Sequence, residues 1–270
     1  KIVELISSTK EIKSETLVED EEGVVILEET PFYAESGGQI GDRGTISGKG
    51  FVFDVLDTQK IGDHHGHFGV VREGNLKKDT KVKAHIDESF REKIVPNHSA
   101  THLLQAALKK TLGDHIEQKG SLVGENRLRF DFSHSEQVSA EQIVDIEDLV
   151  NLQIEKNSKS VIEVMTIEEA TKKGAIAFFG EKYGEEVRVL DLGEGFSVEL
   201  CGGTHVKTTG EIGLMKIVSE SGISAGVRRI EAVTGIGATL LLQELEQNIT
   251  SICNELLVDL HPINKDQNNL

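Results

Sequence analysis

Two histidines four residues apart, His98 and His102, and a cysteine and histidine with the same spacing, Cys201 and His205, are the side chains here best suited to chemistry. Three imidazoles and one thiolate form a donor set that suits zinc. The first pair lies in a segment rich in alanine and leucine (Ala100, Leu103, Leu104, Ala106, Ala107, Leu108). On a helix, i, i+4 spacing projects both rings from one face. Pro96-Asn97 reads as that helix's start and cap. The second pair follows a strand-like run, Ser197 to Leu200, and Gly202-Gly203 lets the backbone curl so that Cys201 and His205 reach one ion. Either pair alone also fits an ordinary surface or core pair. Both in one chain predict a single shared zinc ion.

The elements that position these ligands change character near residue 93. Before it, short strands are punctuated by glycine: Val24 to Glu28, Gly50 to Leu56, His67 to Arg72 and Lys81 to Ile86. Strands at this spacing without intervening helices predict a small β-barrel or sandwich. After it comes the His98 helix, then the strand Arg127 to Phe132, where Leu128, Phe130 and Phe132 alternate with Arg127, Arg129 and Asp131. Ser139-Ala-Glu-Gln142 is a capping box opening a helix that carries Ile143, Ile146, Val150 and Ile154. Further strands are expected at Val161 to Met165, Val187 to Leu190, Ser197 to Leu200, Ile212 to Val218 and Val227 to Val233. A last helix, Ala238 to Leu257, has an apolar stripe that packs on the domain or leads to another. The expected fold is therefore α+β. It comprises a small N-terminal β-barrel (1–93), a two-layer α/β zinc domain (94–237) and a C-terminal helix (238–270).

Composition narrows the function classes. A chain of 270 residues can build a real core, so a metal serves a site and is not needed to hold the fold. There are two cysteines, and Cys253, in the apolar stretch Leu240 to Leu260, reads as a buried small hydrophobe. No disulfide framework is implied, which fits a reducing, cytoplasmic setting. No run is long enough to span a bilayer, and the mixed opening Lys1-Ile-Val-Glu-Leu5 is not a secretory signal. The absence of an initiator methionine and the polar ending Asn268-Asn269-Leu270 point to a piece of a longer protein. Net charge is −17, from 46 acidic and 29 basic residues. Neither DNA nor a membrane is an expected partner, and any RNA contact must be local. Local basic clusters are Lys109-Lys110, Arg127 with Arg129, Lys172-Lys173 and Arg228-Arg229, although most such pairs are solvated surface.

Two further clusters are ambiguous by themselves. Gly37-Gly38-Gln39-Ile-Gly41-Asp42-Arg43-Gly44 lacks the ending of a phosphate loop and opens no helix, so it is a hairpin or a loop shaped to approach a ligand. His64-His65-Gly-His67 lies in a glycine-rich turn with no thiolate partner and is a weak metal candidate. Gln118 falls in the connection after the His98 helix.

Several segments together resemble the editing domain of bacterial alanyl-tRNA synthetases. They are Glu199-Leu-Cys-Gly-Gly-Thr-His205, Thr209-Gly-Glu-Ile-Gly213, Lys216-Ile-Val-Ser-Glu-Ser-Gly222, Gly226 through Gly235, Asn97-His-Ser-Ala-Thr-His-Leu-Leu104, Gln118-Lys-Gly-Ser-Leu122 and Phe32-Tyr-Ala-Glu-Ser-Gly-Gly-Gln39. The resemblance reaches nearly the whole chain. It implies a β-barrel followed by a zinc domain similar to the threonyl-tRNA synthetase second N-terminal domain and to the free-standing AlaX deacylases. It also implies hydrolysis of tRNA(Ala) mischarged with serine or glycine, with ATP-dependent ligation left to the parent chain, whose aminoacylation core has no counterpart here. By motif, His98, His102, Cys201 and His205 match the zinc ligands, and Gln118 and Cys201 are the catalytic candidates. Gly37, Gly38, Gln39, Thr101 and Arg228 are the substrate-binding candidates. The implied partners are the aminoacyl 3′ end of tRNA(Ala) and the rest of the synthetase chain. A free-standing AlaX-type deacylase and a non-catalytic zinc RNA-binding module are the competing readings.

Overall fold

A computed structural model describes residues 1–8, 12–176 and 184–255. The glycine-punctuated first third forms β1 (Ile2–Ser7), β2 (Ile12–Ser14), β3 (Thr16–Leu17), β4 (Glu22–Leu27), β5 (Gly44–Gly48), β6 (Phe51–Ile61), β7 (His64–Gly74), β8 (Leu76–Lys77) and β9 (Lys83–Ile86). Seven of these make one antiparallel sheet in the order β2-β1-β4-β7-β6-β5-β9, and β3 pairs with β8 as a separate ribbon. The expected barrel does not close: among the described residues the edge strands β2 and β9 each pair on one side only, and register shifts interrupt the pairing of β6 with β7. Alternation along β6 buries Phe51, Phe53 and Val55 against Leu5, Val25, Ile46 and Val71. The three histidines of the 64–67 segment belong to β7 rather than to a turn. His67 is buried there, with Nδ1 2.7 Å from the Val25 carbonyl and Nε2 2.7 Å from the Thr30 hydroxyl, which uses both ring nitrogens and removes it as a metal ligand.

The helix that carries the first ligand pair, α1 (Glu88–Leu112), begins earlier than its proline suggests. Asp87 is the cap, accepting from the Phe90 amide at 3.0 Å, and Gly113 ends the helix. Pro96 sits inside, where the missing N–H costs one helix bond. Asn97 is not a cap either. Its amide nitrogen donates to the Gly124 carbonyl (2.9 Å) and its oxygen accepts from the Thr234 hydroxyl (2.7 Å), tying the helix to the following sheet.

That sheet contains β10 (Gln118–Val123), β11 (Leu128–Ser133), β15 (Met215–Ser224) and β16 (Val227–Thr234), in the order β10-β11-β16-β15. Between these strands come α2 (Ala140–Glu155), with its Ser139 capping box, then β12 (Val161–Thr166), α3 (Ile167–Lys172), β13 (Glu186–Leu192) and β14 (Ser197–Leu200). Strands β12, β13 and β14 form a small sheet. One core joins Leu103, Leu104 and Ala107 of α1, Phe130 and Phe132 of β11, Ile146 and Val150 of α2, and Ile230 of β16. Burial of each of the leucine, isoleucine, valine and phenylalanine side chains among these contributes about 1.5–3 kcal/mol. Two sequence expectations shift here. Gln118 opens β10 rather than lying in a connection, and Ile212 lies in a 3₁₀ turn (Thr209–Ile212) before β15.

The last helix, α4 (Gly235–Glu255), leaves Ile236, Leu240, Leu245, Ile249 and Ile252 exposed. Cys253 on it is half-buried rather than buried, and residues 256–270 lie outside the described part. Among the described residues, no helix is long and apolar enough to cross a membrane.

Candidate metal centre and its cavity

The fold brings His98 and His102 of α1 against Cys201 and His205, which follow β14, so that one donor atom from each lies within 4.8 Å of all the others. Cys201 Sγ is 3.5 Å from His98 Nε2 and 3.2 Å from His205 Nε2. A tetrahedral zinc with one sulfur and one nitrogen donor sets those two atoms about 3.6 Å apart. The donors therefore fit a metal of this kind.

Each ring is aimed by a partner on its far nitrogen. His98 Nδ1 is 2.6 Å from Gln39 Oε1, which also accepts from the Thr204 amide at 3.0 Å and the Thr204 hydroxyl at 3.1 Å. Three donors on one oxygen fix the amide's orientation, put the proton on His98 Nδ1 and leave Nε2 facing the sulfur. His102 Nδ1 donates to Glu199 Oε2 at 2.6 Å, and Ser197 Oγ supports that buried carboxylate at 3.0 Å. Ser99 Oγ stands 3.4 Å from His205 Nδ1. Neither Gln39 nor Glu199 is readable from the sequence as a supporting group, because they lie 59 and 97 residues from the rings they hold.

Electrostatics favour a thiolate here. Burial raises the Cys201 thiol, but the neighbouring His102 and His98 outweigh it and hold the group well below its ordinary value. Burial pushes His102 down, yet the charges of Glu199 and Cys201 carry it up to about 10. His205 is pushed down to about 3 by burial and by His98, which leaves its imidazole neutral and able to donate a lone pair.

The cluster opens on a cavity of about 400 Å³ whose wall includes His98, Thr101, His102, Gln118 and Cys201. Gly37 lines it too, as do Tyr33, Lys60 and Arg188. The glycine segment reaches this wall by adding to the edge of β10: the Val123 amide donates to the Gly38 carbonyl at 2.7 Å, and the Ile40 amide to the Val123 carbonyl at 3.1 Å. Gly38 is at φ +88, and a Cβ there would meet the Ser121 carbonyl oxygen at 2.7 Å, so this approach requires glycine.

Three substrate-binding candidates are placed elsewhere. Gly38 and Gln39 lie behind the wall, Gly38 against Ser121 and Gln39 on His98 and Thr204. Arg228 does not reach the cavity either, because Glu220 on β15 takes both its Nε and its Nη2. The other basic clusters are largely neutralised in the same way: Arg229 is bidentate to Asp131, Arg127 pairs with Glu231 at 3.3 Å, and Lys173 pairs with Glu163. Several wall residues escaped the sequence reading, among them Lys60, Glu186 and Gln105. Gln105 lies amid leucines and alanines on α1, and the signal that could have found it is its spacing of four from Thr101 and three from His102.

A helix supplying two imidazoles and a glycine loop supplying a thiol and an imidazole, beside an antiparallel sheet, define an α+β module with a donor cluster that could hold a metal ion and an adjoining cavity. Comparison with known proteins makes this particular. Residues 187–231, containing Cys201 and His205, match the family described as the threonyl and alanyl tRNA synthetase second additional domain. Residues 1–90, the seven-stranded sheet region, match the class II (A) tRNA synthetases. The chain is 51% identical over 245 residues to the alanine–tRNA ligase of Shewanella loihica, covering 91% of this chain and 28% of the relative. It is likewise 51% identical over 264 residues to that of a Psychrobacter species, covering 94% and 29%. The chain belongs to the alanyl-tRNA synthetase family and spans under a third of the length of these relatives.

Proposed function

We propose that this chain hydrolyses the ester of tRNA(Ala) wrongly charged with serine or glycine, as the editing part of an alanine–tRNA ligase. The observation that carries the proposal is the His98, His102, Cys201 and His205 cluster opening on a cavity walled by Thr101 and Gln118. An alanine-activating site separates glycine by only about 1–3 kcal/mol, and excludes a slightly larger hydroxylated analogue no better. A second, hydrolytic pocket is the remedy. Its reaction is undemanding, since an ester to a ribose hydroxyl needs a positioned water and an electrophile rather than a serine nucleophile.

One zinc ion would be held by the four donors and would organise the pocket around the RNA 3′ end; it would supply Lewis acidity towards the ester carbonyl where one of the four yields its place to water. Gln118, projecting from the start of β10, orients water and carbonyl, and Thr101 bounds the amino-acid end. Gly37 gives a wall without a side chain for the ribose of the RNA 3′ end. In this proposal residues 1–93 deliver the glycine turn, 94–237 hold metal and ester, and 238–270 lead to the rest of the synthetase. Because α1 begins at Glu88, the first boundary falls within its second turn. The partners are the aminoacyl 3′ end of tRNA(Ala) and that remaining chain, in the cytoplasm.

The test is release of serine from Ser-tRNA(Ala) by the zinc-loaded chain and by Gln118→His. Hydrolysis by the unaltered chain and at least about a tenfold lower rate in the variant, with zinc retained, are expected. No release above spontaneous hydrolysis would contradict the proposal.

A further inference from the structure

Gln105 is 2% exposed and lines the cavity beside Thr101 and His102. The other buried polar side chains of this stretch of α1 are all tied within the protein. Asn97 holds Gly124 and Thr234, His98 meets Gln39, Ser99 accepts from the Val206 amide, Thr101 donates to the Asn97 carbonyl, and His102 donates to Glu199. The Gln105 amide makes no hydrogen bond to a described residue and, unlike Gln39 Nε2, its polar atoms are not sealed off from the cavity. A primary amide carries two donors and an acceptor, and one removed from bulk water has the cavity's contents as its remaining partner.

We propose that Gln105 is a specificity residue of this cavity, its amide pairing with a hydroxyl on the amino acid of the bound ester. The inference rests on the deacylase reading and deepens it. Serine completes the bond. Alanine sets a methyl against the amide, which neither pairs with it nor leaves room for water, so the buried group is stranded. Glycine leaves space for a water to take the hydroxyl's place. One amide thereby separates the two substrates to be destroyed from the one to be spared.

The experiment uses hydrolysis-resistant probes: 3′-amino-3′-deoxyadenosine carrying serine, glycine or alanine through an amide, titrated calorimetrically into the zinc-loaded chain. The unaltered protein should bind the seryl probe about tenfold or more tightly than the alanyl one. Gln105→Met, which keeps the length without the amide, should bring the two within about twofold, chiefly by weakening the seryl probe, with one zinc per chain and the melting temperature unchanged. Gln105→Asn, which withdraws the amide by one methylene, should do the same and serves if the methionine variant does not fold. A variant that preserves the seryl preference overturns the assignment of Gln105 alone. Failure of the unaltered, zinc-loaded chain to bind any of the probes overturns the deacylase reading on which it rests.

Discussion

Gly203 shows how narrowly the candidate metal centre is fitted. A Cβ on Gly203 would lie 2.1 Å from His98 Cε1 and 2.9 Å from Gln39 Oε1, so even alanine must displace the ring or the amide that aims it. Gly202 has open space at the same test, which separates a packing requirement from a loop's general need for glycine. Gly203→Ala is expected to weaken zinc binding by about 10–100-fold in competition with a chromogenic chelator, the scale seen when an outer partner of a metal histidine is lost. Gly202→Ala should change it by less than about threefold. That His98, His102, Cys201 and His205 would gather into one cluster was legible in the sequence, because their chemistry and i, i+4 spacing are local properties. Gln39 and Glu199 were not, since a supporting acceptor is chosen by the tertiary fold, and nothing local to either residue marks it. Arg228 misled for the converse reason: its partner Glu220 lies across a hairpin whose register the sequence does not print.

At the scale of elements, the cavity depends on how the glycine segment is held to α1. Asp42 is buried and receives Arg91 Nε at 3.1 Å, a second contact from Arg91 Nη2, and the Tyr33 amide at 2.6 Å, while Arg91 Nη2 also donates to the Pro31 carbonyl at 2.9 Å. Removing the guanidinium strands a buried carboxylate. Arg91→Met is therefore expected to cost about 3–5 kcal/mol in urea unfolding, and Asp42→Asn/Arg91→Met less than the single change. The sheet carries a pH dependence of its own at His67. Burial outweighs its bond to the Val25 carbonyl and lowers it from 6.5 to about 4. The unfolded chain then takes up a proton that the folded chain refuses. Stability from this group is complete above pH 6.5 and falls by about 3 kcal/mol as pH drops to 4. His67→Gln should flatten that part of the urea-midpoint profile relative to the unaltered chain. Periodicity located β14, β16 and α2 closely, because alternation and a capping box are written within a few residues. It misplaced the start of α1, where Pro96 outweighed Asp87, and it offered a barrel where the sheet stays open at β2 and β9.

Across the whole molecule, the chain is strongly acidic, yet the cavity beside the His/Cys cluster is walled by Lys60, His65 and Arg188 as well as by Glu186. Two cores flank that cavity, one around Phe53 and one around Phe130, and the glycine segment bridges them along β10. The proposed role of this junction is metal-dependent deacylation. The most direct measurement titrates zinc into metal-free chain and follows, in the same samples, bound metal and serine release from Ser-tRNA(Ala), with Cys201→Ala alongside. Hydrolysis that rises with bound zinc and saturates at about one ion per chain, with both quantities collapsing in Cys201→Ala, is the predicted result. Serine release that proceeds undiminished in the metal-free chain or in Cys201→Ala would contradict it.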